Sequence, residues 1–178
     1  MWLSEGADQL VFDERLDAYG IVPRQIDGLS GVATAPFLHA GFGHLLANTF
    51  PLLILGALIA FKGFRRFVAV SLGVIVLGGL GLWVIGRDGV HVGASIVVFG
   101  YFGYLIAAAV FERRLRSIVL AAVATLLYGG LIWGVLPSDS AISWEGHLSG
   151  LVAGVFIAWW VTRPPDQPGR VGSGPSST

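Results

Sequence analysis

The sequence predicts an all-α, polytopic membrane protein, and three observations carry that prediction. Of 178 residues, 54% are hydrophobic and 12% charged, with a mean hydropathy of +0.76. A soluble domain ordinarily carries about a quarter charged residues. The charges are also gathered into short clusters, leaving five apolar stretches of roughly 17 to 22 residues, the helical length that crosses a ~30 Å hydrocarbon layer. Lastly, basic residues occupy alternate connections, as they do when successive helices thread back and forth through a bilayer.

Taken in order, residues 1–36 read as a partly amphipathic segment on the outer surface, broken at Gly20 and Pro23. Glu5, Asp8, Asp13, Glu14, Arg15 and Asp17 deny Met1 to Tyr19 the apolar core of a cleavable signal. Trp2, Leu3, Leu10, Val11 and Phe12 instead suit the outer remnant of a shortened first helix and its loop. Residues 37–162 form the expected membrane domain. Its spans are Leu45 to Phe61, Phe67 to Ile85, Val92 to Phe111, Ser117 to Leu136, and Leu148 to Val161 with a polar lead-in from Trp144. Residues 163–178, rich in Pro, Gly and Ser, cannot bury a core and are expected to form a disordered cytoplasmic tail.

Lys62, Arg65 and Arg66 follow the first span, Arg113, Arg114 and Arg116 the third, and Arg163 and Arg170 the fifth. The positive-inside rule makes those connections cytoplasmic. The other connections then face out, in what is most simply a bacterial cell membrane. A net charge of zero argues against a nucleic-acid partner. The absence of cysteine excludes a thiol nucleophile, a thiolate metal site and disulfides. No metal or cofactor is expected. The spans also lack the internal carboxylates and arginines that mark ion paths, and no inverted repeat is visible, which disfavours transport.

Three polar clusters interrupt the apolar chain at one membrane level: His44-Leu-Leu-Ala-Asn48, Gly93-Ala94-Ser95 and Gly146-His147. Ionisable groups are expensive within a span and tend to mark function. His44 and Asn48, four apart, share a helix face. Two side-chain donors beside a serine backbone N–H would stabilise an oxyanion. Gly146, Gly150 and Gly154 recur every fourth residue, making a face on which another backbone can approach closely, and His147 adjoins it.

The run Phe37-Leu-His-Ala-Gly-Phe-Gly-His44-Leu-Leu-Ala-Asn48, then Gly93-Ala-Ser95 with Phe99-Gly100, then Gly146-His147-Leu-Ser-Gly150 with Gly154, resembles the rhomboid intramembrane proteases over about residues 36–162. The resemblance implies a rhomboid-like helical bundle that is a serine endopeptidase cutting peptide bonds in or near transmembrane segments. It implies Ser95 as nucleophile and His147 as its general base, a dyad without a carboxylate. His44, Asn48 and the Ser95 N–H would be the oxyanion donors, and Phe99 the aromatic packed on the histidine. Gly93 would allow the turn into the serine helix, and Gly150 and Gly154 the close approach of the two catalytic helices. The implied partners are transmembrane protein substrates within the lipid bilayer. Substrate identity and oligomeric state are not written in these motifs.

His39 and His91 are expected to play supporting or interfacial parts, and Glu145 to point away from His147. The chain departs from the family pattern twice. It has five recognisable spans where the family core has six, and Ile96 stands where the family usually places glycine. That β-branched side chain is expected to add bulk at the tightest helix contact. The competing reading is an inactive rhomboid-like protein that binds transmembrane clients without cutting them.

Overall fold

Backbone turns, rather than hydrophobicity, set where the long helices begin. The computed structural model describes residues 1–137 and 142–162, and among them finds helices throughout and one isolated β-bridge, between Ile21 and His91. Five long helices form the bundle: α3 (Phe42–Ala60), α4 (Phe64–Ile85), α5 (Ser95–Glu112), α6 (Leu115–Tyr128) and α7 (Trp144–Thr162). Two short ones, α1 (Trp2–Ala7) and α2 (Gly31–Thr34), precede them. α3 and α4 start directly after Gly41 and Gly63, whose φ values of +94° and +128° break the preceding chain. Both helices therefore begin a turn earlier than the apolar stretches do. α5 starts later than its apolar stretch, because Gly93 interrupts it. The expected tail falls on residues 163–178, outside the described residues.

Four segments are long and apolar enough to cross a membrane unaided: Phe42–Ala60, Phe64–Ile85, Ser95–Glu112 and Leu115–Val135. In the last of these the α-helix stops at Tyr128 and continues as a 3-10 helix over Gly129–Val135. Gly129 and Gly130 hold the α-helical form poorly, which explains the change of winding. α7 matches the others in length, but Glu145, His147 and Ser149 make its first turns polar and all three are buried.

α5 is the axis of the bundle. Two thirds of it is buried (67%), against 28% for α3 and α4 and 11% for the α6 segment. Lipid-facing Leu53, Leu72 and Leu126 stay exposed on the outer helices. α5 makes its most extensive contact with α7. A Cβ on Gly150 would collide with Ile96 O, and one on Gly154 with Gly100 O and Tyr104 N. The two backbones thus touch with no side chain between them. Polar pairs add further ties, such as Ser71 Oγ with Tyr101 OH at 2.6 Å between α4 and α5.

The N-terminal segment packs across the Ser95 end of this bundle. Trp2 Nε1 donates to Thr49 Oγ1 (3.2 Å) and Ser4 Oγ to Phe37 O (2.7 Å). Arg24 Nη1 donates to Gly86 O (2.6 Å) and Trp83 Nε1 to Gln25 O (2.8 Å), which fastens the segment to the end of α4.

The seam yields a paired expectation. Gly154→Ala should cost about 1–3 kcal/mol through overpacking. Gly43→Ala, whose Cβ meets nothing within 4 Å inside α3, should gain up to about 1 kcal/mol. Thermal unfolding in micelles should separate the two variants in opposite directions from wild type.

Candidate active site

The loop leading into α5 is held from below by the N-terminal segment. Ile21 and His91 exchange backbone hydrogen bonds of 2.9 Å each, and Gly93 N donates to Ala35 O (2.9 Å). Gly93 sits at φ +117°, and a Cβ there would also strike the His44 ring, so the turn admits only glycine on both counts. Ala94 N then donates to His39 Nε2 (3.3 Å). Ser95 follows as the first residue of α5 and is half-buried. Its N–H belongs to the first helical turn, whose amides have no partner within the helix.

His39 is almost wholly buried (1% exposed). Since its Nε2 accepts from Ala94, a neutral ring carries its proton on Nδ1. Burial holds the imidazole down at about 4, with smaller contributions from His44 and the N-terminal amine. The His44 ring meets it edge-on at 5.2 Å. One turn along α3, Asn48 Nδ2 donates to His44 O (3.1 Å), which spends one amide hydrogen and leaves the second. Pro51 lacks the N–H that would bond Ala47 O, and both residues line the same cavity as His44 and Asn48.

α7 supplies His147. Its ring lies flat on Phe99, with centroids 4.0 Å apart and planes 8° from parallel. Nδ1 lies 2.8 Å from Gly134 O. A carbonyl only accepts, so Nδ1 carries the proton of the neutral ring and Nε2 presents its lone pair. A Cβ on Gly134 would press on both Phe99 and His147 Nδ1. This carbonyl was invisible in the sequence; the one hint was the glycine cluster at 129, 130 and 134.

The start of α7 is braced separately. Ser143 Oγ accepts from Gly146 N (3.3 Å) and lies 2.8 Å from His91 Nδ1. His91 Nε2 lies 2.9 Å from Arg87 O, so its N–H donates to that carbonyl. Arg87 Nε also pairs with Glu145 Oε1 at 3.5 Å. His91 and Glu145 thus orient the helix rather than the ring of His147.

Ser95, His147, His44 and Asn48 line one cavity of about 630 Å³, with Phe99 and Gly134 in its wall. Among the described residues no hydrogen bond joins Ser95 Oγ to His147. Ile96 points away from the cavity and is buried (5% exposed). Its Cγ2 lies 2.7 Å from where a Cβ on Gly78 would be, so a glycine of α4 makes the room its bulk requires. A hydroxyl, a neutral imidazole with an open nitrogen, and several hydrogen-bond donors around one cavity are the components of acyl transfer.

Residues 27–164 match the profile of the Rhomboid domain. An uncharacterised protein of Mycobacterium tuberculosis is 43% identical over 173 residues, covering 92% of this chain and 72% of its own length. YdcA of Bacillus subtilis, named as a candidate rhomboid protease, is 35% identical over 130 residues, 71% of this chain and 64% of its own. Rhomboid-like protein 11, a chloroplastic protein of Arabidopsis thaliana, is 29% identical over 150 residues, 74% of this chain and 52% of its own.

The His39 contact makes a pH dependence. A folded value near 4 against about 6.5 unfolded means that the unfolded chain binds this proton more readily. The stability it contributes is complete above pH 6.5 and is lost as pH falls toward 4. The thermal midpoint should therefore drop across that window. It should drop less in His39→Gln, whose amide oxygen can still accept from Ala94 N–H.

Proposed function

Because the chain belongs to the rhomboid family and is an integral membrane protein with four apolar helices long enough to span a bilayer, we propose that it is an intramembrane serine protease using Ser95 and His147. The observation that carries this reading is the placement of the His147 ring. The ring is stacked on Phe99, with Nδ1 committed to Gly134 O and Nε2 left for the cavity that Ser95 shares.

In this mechanism Ser95 Oγ attacks the carbonyl carbon of a peptide bond in or near a transmembrane segment, and its proton passes to His147 Nε2. The C–O bond forms as charge moves onto the former carbonyl oxygen. The Ser95 N–H, the His44 ring and the free amide hydrogen of Asn48 would donate to that oxygen. Collapse breaks the C–N bond, and His147 returns the proton to the leaving amine. Water then gives a proton to the same nitrogen as its oxygen bonds the acyl carbon; collapse breaks the Ser95 Oγ–C bond, His147 returns the proton to Ser95 Oγ, and the carboxylic acid leaves. The basic connections would be cytoplasmic by the positive-inside rule, with the cavity toward the outer face.

A second reading, a family member that binds transmembrane clients without cutting them, draws support from the missing Ser95–His147 hydrogen bond. Hydrogen bonds of this kind are often long in ligand-free enzymes and tighten with substrate bound. The room made for Ile96 also removes the main steric objection to activity.

Detergent-purified protein should react with a fluorophosphonate probe, and liposomes should show cleavage of a single-helix substrate. Ser95→Ala and His147→Ala should each lower cleavage by about 10⁴-fold or more. His44→Ala or Asn48→Ala should lower it by roughly 10² to 10³-fold. Cleavage that persists in purified Ser95→Ala would sink the assignment. Labelling absent from folded wild type, with client co-purification unchanged in Ser95→Ala, would favour the non-cleaving reading. Ile96→Gly should not raise activity; it should destabilise by roughly 2–5 kcal/mol, the cost of emptying a packed site.

A further inference from the structure

At the end of α5 remote from Ser95, the α3–α4 and α5–α6 turns meet around a second polar cavity, of about 310 Å³. Lys62, Arg65, Arg66, Arg114, Arg116 and Glu112 line it. Glu112 reaches Lys62 Nζ and Arg66 Nη1 at 2.8 Å each, and Lys62 also donates to Ser117 Oγ at 2.9 Å. The Lys62 side chain is only 3% exposed, so this knot forms the floor of the cavity. Arg65, Arg114 and Arg116 make no ion pair with any described residue.

Helix geometry deepens the imbalance. The residues that precede α4 and α6, Gly63 and Arg114, both line the cavity, so two helices begin there. Neither start has a side-chain cap or an acidic residue in its first turn. Helix starts carry unpartnered N–H groups and partial positive charge, and they normally attract carboxylates. These carry Arg65, Arg66 and Arg116 instead. Burial pushes the Lys62 ammonium below its usual value, and Arg66 and Arg116 push it the same way against Glu112. Five cations and two helix starts thus face a single carboxylate in one recess at the end of the membrane-length helix α5.

We propose that this recess binds the phosphate of an anionic phospholipid headgroup, held by Arg65, Arg114 and Arg116 with the α4 and α6 helix starts. Orientation bias alone would put basic residues in these turns. It would not build a cavity, leave both helix starts uncapped at its rim, or bury a lysine in its floor. Arg113 supplies an internal comparison, since it lies in the same turn yet outside the cavity lining. The proposal stands apart from the catalytic reading: the 18 residues of α5 separate the two sites by roughly 25 Å at 1.5 Å per residue.

The test is thermal unfolding of the full chain in neutral detergent, with added phosphatidylglycerol, with phosphatidylcholine, or with sodium phosphate against chloride at equal ionic strength. Phosphatidylglycerol should raise the wild-type midpoint by several degrees and phosphatidylcholine should not. The rise should vanish in the triple variant R65Q/R114Q/R116Q and persist in R113Q. An equal rise with phosphatidylcholine, retention in the triple variant, or equal loss in R113Q would overturn the proposal. Inorganic phosphate that reproduces the rise with the same dependence on these arginines would support the phosphate chemistry but make a soluble phosphate compound its source. Should the triple variant fold poorly, native mass spectrometry of R65Q and R116Q singly should show less retained phosphatidylglycerol than wild type, and unchanged retention in both would refute the site.

Discussion

The structure depends above all on the direct backbone contact between α5 and α7. In lipid, burying apolar surface between helices gains little, because the hydrocarbon tails are as apolar as leucine. Helices associate instead through close packing, and closeness requires an absence of side chains. Ile96 O and Gly100 O of α5 lie where Cβ atoms on Gly150 and Gly154 of α7 would stand, and Leu151 O of α7 lies where one on Gly103 would. Such contacts also admit weak Cα–H···O interactions, which add modestly at each crossing. Ser95 opens one of these helices and His147 lies in the first turn of the other. Fixing the seam therefore fixes both residues at one depth, on facing surfaces.

Three features refine that coarse placement, and each acts on a single degree of freedom. The Phe99 ring sets the plane of His147 by stacking. Gly134 O sets its tautomer. The contacts of His39 with Ala94 N and of Ala35 O with Gly93 N set the turn that delivers Ser95. The second comes from the least buried segment of the bundle. The tautomer of His147 is therefore tied to the position of the Gly129–Val135 segment, which carries that carbonyl. That tie runs through a backbone carbonyl, so side-chain substitution can displace it but not delete it.

Much of this was legible in the sequence, for definite reasons. Helical spans announce themselves because the hydrocarbon layer demands both length and apolarity. The family was legible because three motifs of fixed internal spacing occur in order at the right ends of those spans. Helix starts were not, since Gly41, Gly63 and Gly93 impose them by backbone conformation and hydrophobicity does not register a φ angle. Gly134 was missed for a related reason: a carbonyl that any residue could supply leaves no sequence signal, and only the need to omit a Cβ beside Phe99 did. Ile96 read as an obstruction because its neighbours on α4 were unknown. With Gly78 opposite, its bulk becomes packing.

α5 joins two polar sites that the bilayer would otherwise penalise, and it can do so because the ionised groups are confined to its ends. Between Ile96 and Phe111 it carries hydroxyl groups on Tyr101 and Tyr104 but no ionisable carboxylate or amine. At its far end Glu112 gathers Lys62 from the α3–α4 turn, Arg66 from α4 and Ser117 from α6. Breaking a buried pair by removing one partner strands the other charge, which typically costs more than the pair itself contributes. The knot therefore acts less as a source of stability than as a restriction on register. α3 and α4 cannot slide along α5 without unpairing a buried ion, nor α6 without breaking the hydrogen bonds of Ser117. Since α3 also carries His44 and Asn48, and α6 leads on to Gly134, a restraint at the basic end limits how far the cavity walls at the Ser95 end can shift along the membrane normal. Glycines bring the Ser95 and His147 helices together, and charges at the opposite end keep the surrounding helices level with them.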